Sequence, residues 1–179
     1  MLLRKNDSGR SIVEMLGVLA IMVIITVMGI AGYSQAIGKI NRNKVVEEIT
    51  KLAQEVRSIF AGRTSYNQTD GEGSAADYNI GTEVLKKMGF KLAAPYGGDY
   101  VVKSMGTPGN DPAFSVTVCN VPAADCLQFM VMAWTDVLTS DGKSTSTQAY
   151  FGQNGSTSAV TGESCPDNSA DACMSLYFR

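Results

Sequence analysis

The spacing of apolar and polar residues changes character twice along this chain of 179 residues. Residues 11–32, SIVEMLGVLAIMVIITVMGIAG, hold one charged residue, Glu14, and from Met15 to Gly32 nothing is more polar than Thr26. A run of that length predicts a membrane-crossing helix, because about 20 helical residues span the hydrocarbon core. A buried helix of a soluble domain is rarely apolar on every side for so long. The rival reading is a secretory signal peptide, whose apolar part runs ~7–15 residues before a small-residue cleavage site. Here the run is longer and passes without a break into a second pattern. From Tyr33 to Phe60, Ala36, Ile37, Ile40, Val45, Ile49, Leu52, Ala53, Val56, Ile59 and Phe60 recur at steps of mostly three and four, with charged or amide residues between them. That is one apolar stripe on a helix. No proline interrupts residues 11–61, so one helix of about 50 residues is predicted, ending near Gly62. Its first half, 10–35, is apolar all round; its second half, 36–61, can pack one face on a head. Gly29 and Gly32 are weak points inside it, each costing roughly 1 kcal/mol against Ala.

Beyond residue 61 the periods shorten. Residues 62–81 are rich in Gly, Ser and Asp and read as a long loop. Thr82–Lys87 reads as a short helix with Thr82 as N-cap and Gly89 as stop. Asp99–Lys103 and Phe114–Asn120 read as strands joined by the turn cluster GTPGNDP. Ala123–Trp134 reads as a helix with Pro122 near its first position. Gln148–Gly152 and Met174–Arg179 read as later strands, with a loop between them.

Composition narrows the chemistry. Fifteen basic and 17 acidic residues leave a net charge of −2, which argues against a nucleic-acid binder held by bulk charge. The chain has no histidine. Every Ser-His-Asp and Cys-His nucleophile scheme is therefore excluded, with all His metal sites. No constellation reads as catalytic, and no cofactor is implied. Arg4 and Lys5 precede the apolar run, which predicts a cytoplasmic N-terminus and an exported region of about 145 residues after a single anchor.

Gly9, followed by Arg10-Ser11-Ile12-Val13-Glu14 and then EMLGVLAIMVIITVMGIAGYSQA, resembles the N-terminus of type IV pilins and their relatives. The close likeness covers roughly residues 9–60. It implies an α+β, pilin-like fold: the long helix packed on an antiparallel β-sheet head, residues 62–179. It implies a leader peptide, residues 1–9, cut after Gly9 by a prepilin peptidase, with N-methylation of the new amine at Arg10. The family places a Glu at the fifth mature position, which is Glu14 here. A lone carboxylate costs about 2.5–3.5 kcal/mol at a bilayer centre. The amine released at Arg10 offers it a partner on a neighbouring subunit, so cleavage would license assembly. Arg10 stands where the family usually has an apolar residue, and it is also placed i, i+4 to Glu14 within one helix. Relatives often carry a proline halfway along the apolar segment, where the helix melts in the filament. This chain has none, leaving Gly29 and Gly32 as melting candidates or as small packing residues.

The cysteines are Cys119, Cys126, Cys165 and Cys173, all in the exported part. An even count in an oxidising compartment favours two disulfides, with three connectivities open. The spacings are poor for a zinc site, and no metal is predicted. Similar pilins tie the helix after the Asn-Val-Pro turn to the C-terminal region, which implies Cys126–Cys165 and leaves Cys119–Cys173. The local pairs, Cys119–Cys126 and Cys165–Cys173, are the rival. DGEGSAAD at 70–77 and GND at 109–111 match no complete calcium loop. Asn67-Gln68-Thr69 and Asn154-Gly155-Ser156 match the glycosylation triplet, read as chance in a bacterial setting. Phe129, Met130, Met132 and Trp134 read as core.

The expected function is a structural pilus subunit. It begins as a precursor in the bacterial inner membrane and polymerises with itself into an extracellular filament. The expected partners are the prepilin peptidase, the inner-membrane assembly platform and its ATPase; no nucleic acid is expected. A minor pilin or type II secretion pseudopilin would share the N-terminus. A single-span anchored binding domain is the reading from another class.

Overall fold

The computed structural model of the chain describes residues 8–61, 66, 81–107, 110–140, 142, 144–153, 160–166 and 171–179, with backbone alone at 8–11, 106–107 and 110–112. The chain divides into two compact units, Met1–Ile40 and Asn41–Arg179. Helix α1, Ser8–Ile59, supplies the first unit's described residues and continues as the first element of the second. It is unbroken, as the proline-free pattern predicts. It starts before the expected cleavage point at Gly9, while residues 1–7 of the predicted leader lie outside the described residues.

In the second unit the predicted stripe of α1 is buried except at Ile59, which stays exposed, as Ile40 does just before that unit begins. Val45, Ile49, Leu52, Ala53, Val56 and Phe60 all enter the core. They meet the inner face of a six-stranded sheet: β1 (Val101–Thr107), β2 (Asn110–Val121), β3 (Val137–Leu138), β4 (Thr145–Ser146), β5 (Tyr150–Gln153) and β6 (Ala172–Phe178). The strand order is β1-β2-β6-β3-β4, with β5 also paired to β6, and every pairing is antiparallel. Alternation along β2 and β6 turns Phe114, Val116, Val118, Met174, Leu176 and Phe178 toward α1. The opposite face holds Ser115, Thr117, Ser175 and Tyr177, all buried. There Thr117 and Ser175 share a hydroxyl hydrogen bond of 2.6 Å. Ser175 also accepts from the Val160 N–H, and Tyr177 donates to the Val160 carbonyl at 2.8 Å. The segment around Val160 thus covers this polar face and satisfies it, as burial of hydroxyls requires.

Local chemistry corrects several expected boundaries. Helix α2 is Thr82–Lys87, but its N-cap is Gly81, which is held extended by bridging to Lys103. The Thr82 hydroxyl, expected to cap, instead accepts from the Val102 N–H at 3.1 Å. Gly89 does stop α2: at φ +91° it lets its own N–H reach the Lys86 carbonyl and the Phe90 N–H reach that of Leu85. That is the two-bond helix end for which glycine is favoured. Helix α3 is Ala123–Val131, three residues shorter than expected. Met132 turns extended, and the Trp134 indole N–H returns to cap the Phe129 carbonyl at 3.2 Å. Trp134 is core, as expected, but not helical. The β1–β2 ladder reaches Thr107 and Asn110, so most of the expected GTPGNDP turn is strand. The two-residue strands β3 and β4 were not expected. The loop expected at 62–81 lies outside the described residues, apart from Tyr66, whose ring packs against Phe60 and Phe114, and Gly81 at its end.

Candidate functional site

The described residues of the first unit form one helix, and from Ile12 to Ala36 each of them is exposed. Fifteen large apolar side chains from Ile12 to Tyr33 are each more than half exposed. Burying that many gains on the order of 20–40 kcal/mol, several times the ~5–15 kcal/mol that stabilises a whole domain. A surface of this kind demands lipid or other apolar helices. The few polar side chains suit such surroundings. Thr26 donates to the Met22 carbonyl at 2.8 Å and Ser34 to the Ala31 carbonyl at 2.9 Å. These local bonds satisfy both hydroxyls within the helix itself. By length and composition, α1 can cross a membrane.

Glu14 is exposed and is the only charge between Ile12 and Gly38 whose side chain is described. Gly9 and Arg10 lie in the first turns of α1, but their side chains are outside the described residues. Gly29 and Gly32 are helical, and a Cβ at either would meet nothing within 4 Å. Nothing among the described residues therefore uses their small size.

In the second unit, the described residues bring together a polar cluster that periodicity alone does not reveal. Asp125, in the first turn of α3, is buried. One carboxylate oxygen accepts from Arg42 of α1 in a salt bridge. The other accepts from the Tyr96 hydroxyl at 2.8 Å. Nearly two turns further along α1, Glu48 accepts from the Tyr100 hydroxyl at 2.9 Å. Burial, and then these carboxylate acceptors, push both phenols well above the usual tyrosine range. Tyr177 is pushed up to about 12 by burial and then by the neighbouring Tyr150. The sequence signal for the Asp125 cluster is an acid in the first turn of an apolar helix, which reads equally as a favourable charge near a helix N-terminus. A third charged contact ties α1 to the last strand. Arg57 donates from Nε to the Arg179 carbonyl at 2.5 Å and from Nη2 to the Asp136 carbonyl at 3.2 Å, lying over the Phe178 ring.

Two disulfides close the head, Cys119–Cys173 and Cys126–Cys165. They are the long-range pairs that the resemblance implies. Phe129 and Trp134 are buried, and Met130 and Met132 pack on the same core. A cavity of about 700 Å³ lies beside Tyr100, lined by Glu48, Lys51, Leu52, Met88 and Phe90. Among the described residues, no group of three or more Cys, Asp or Glu is placed to hold a metal ion. Residues 70–77, the turn residues 108–109 and both glycosylation triplets lie outside the described residues.

A family model described as PilS N terminal matches residues 39–176, more than half of the chain. No curated protein matches it.

Proposed function

The chain belongs to the PilS family of type IV pilin-related proteins, and from that membership we propose that it is the structural subunit of a type IV pilus. The precursor sits in the bacterial inner membrane through the apolar half of α1. Prepilin peptidase cuts after Gly9, and the new amine at Arg10 is methylated. The subunit is then drawn by the assembly platform and its ATPase into an extracellular helical homopolymer. There Glu14 of one copy pairs with the Arg10 amine of another and sets the axial register. The reading assigns the chain no catalytic residue, no cofactor and no nucleic-acid partner.

The observation that carries it is the exposed apolar surface from Ile12 to Tyr33, interrupted by Glu14 alone and continuing as one helix into the core of a disulfide-bonded head. One surface serves two successive environments, lipid before assembly and neighbouring helices after it. An enzyme anchored by one span needs only the first.

The test is the intact, non-reduced mass of this protein in filaments sheared from cells. The expected species lacks residues 1–9, carries one added methyl group and is lighter by four hydrogens for two disulfides. Processed protein confined to the membrane fraction would instead indicate a pseudopilin. Retention of residues 1–9 would overturn the cleavage reading and leave an anchored domain.

A further inference from the structure

Four cysteines pair in three ways, and chain entropy opposes the way found here. The native bridges join residues 54 and 39 positions apart. The rival local pairs, Cys119–Cys126 and Cys165–Cys173, are only seven and eight apart. Ring-closure probability falls as the three-halves power of loop length, so an unstructured chain favours each local pair by roughly ten- to twentyfold. The fold must therefore contain something that keeps Cys126 away from Cys119 while both are still thiols.

Asp125 immediately precedes Cys126, and both sit in the first turn of α3. The partners of Asp125 are Arg42 on α1 and Tyr96 in the connection before β1. Both lie earlier in the chain than Cys126, so the cluster needs nothing from residues 165–173 in order to form. It draws the α3 turn onto α1, where Cys126 is fully buried in the inner core with Phe129. Cys119 belongs to the other side. Ser115 and Thr117 precede it at alternate positions of β2, opposite to Phe114, Val116 and Val118. Its partner Cys173 alternates with Ser175 and Tyr177 on that same outer face. The two bridges thus lie on opposite faces of the β2–β6 pair. A Cys119–Cys126 bridge would require the α3 turn to leave Arg42.

We propose that Arg42, Asp125 and Tyr96 are the specificity-determining residues for disulfide pairing: they fix the first turn of α3 on α1 before oxidation, withhold Cys126 from Cys119 and reserve it for Cys165. This role does not depend on whether the subunit polymerises. In each closure two thiols lose their protons and two electrons, and one S–S bond forms. The electrons pass by thiol–disulfide exchange to a small disulfide such as glutathione disulfide, which is released as two thiols.

The test uses the full chain in detergent micelles. It is reduced and denatured, refolded in mixed reduced and oxidised glutathione, and quenched by alkylation. Non-reduced digests cut before Asp125, Asp136 and Asp167 separate all four cysteines and identify the pairs over all chains, folded or not. Arg42→Met is expected to raise the Cys119–Cys126 fraction about fivefold. Arg42→Lys keeps the charge and is expected to retain most native pairing, and Tyr96→Phe to fall between. Val116→Ala, a truncation in the inner sheet face remote from α3, is the control and is expected to pair as wild type does. Native pairing in Arg42→Met, or equal scrambling in Val116→Ala, would overturn the proposal.

Discussion

Arg42 and Asp125 stand 83 residues apart in sequence and form an ion pair, with the acid almost wholly enclosed. Enclosure makes the pair costly to break and less costly to replace. Removing one partner strands a charge without water, while removing both leaves an apolar contact of similar size.

Asp125→Ala should therefore destabilise the head by about 3 kcal/mol, the range for breaking a buried pair. The double change Arg42→Leu with Asp125→Leu should cost clearly less than the two single changes added together. Urea unfolding of the full chain in micelles, followed by tryptophan emission from Trp134, measures both. Additive costs would mean that the two residues are not coupled.

Glu14→Ala should separate assembly from folding. The side chain is exposed on the first unit, and surface substitutions of that kind usually stay within about 0.5 kcal/mol. Unfolding of the head should be unchanged, while incorporation into sheared filaments should drop at least tenfold. Filament levels equal to wild type would refute the pairing of Glu14 with the Arg10 amine.

Each disulfide closes a long loop, of 54 or 39 residues. In the chain-entropy model each contributes about 4 kcal/mol. Replacing Cys126 and Cys165 together by Ser should lower the stability of the oxidised chain by that order. The measurement is the shift in urea midpoint at unchanged slope.

Stability should fall in alkali. Tyr177, Tyr100 and Tyr96 all titrate higher in the folded chain than the ordinary tyrosine value near 10, through burial and then their partners. Above pH ~10 the unfolded chain releases these protons while the folded chain keeps them, so unfolding gains as pH rises. The tyrosine contribution is fully present below pH ~10. For Tyr177 it is lost as pH climbs toward about 12. The slope should approach ~1.4 kcal/mol per pH unit for each tyrosine that holds its proton. Tyr177→Phe should make the slope shallower, read from urea midpoints between pH 8 and 12.

The legible parts of the sequence are those where one residue type answers to one local demand. The stripe of α1 was readable because burial on one face repeats with the helical period. Gly89 was readable because a positive φ at a helix end selects glycine. The end of α3 was not readable: Ala123–Trp134 is apolar throughout, and the helix stops where Trp134 folds back on Phe129, a contact that no spacing records. Thr82 was misassigned for a related reason. Its hydroxyl had two competing donors, and the β1 backbone, 20 residues away, took it. Strands β3 and β4 have two residues each and carry no period at all. At the candidate site, Glu14 was conspicuous as a charge among apolar neighbours. Asp125 was not, because its partners lie on two other elements.

Strand β6 occupies residues 172–178, yet β2 reaches β3 and β5 only through it. A polypeptide emerging N-terminus first can make α1, α2 and the β1–β2 hairpin early, but it cannot unite the two halves of its sheet until residue 178 is free. The same wiring makes residues 172–178 unforgiving. A stop codon at position 170 would leave two unjoined pieces of sheet and remove Cys173, the bridge partner of Cys119.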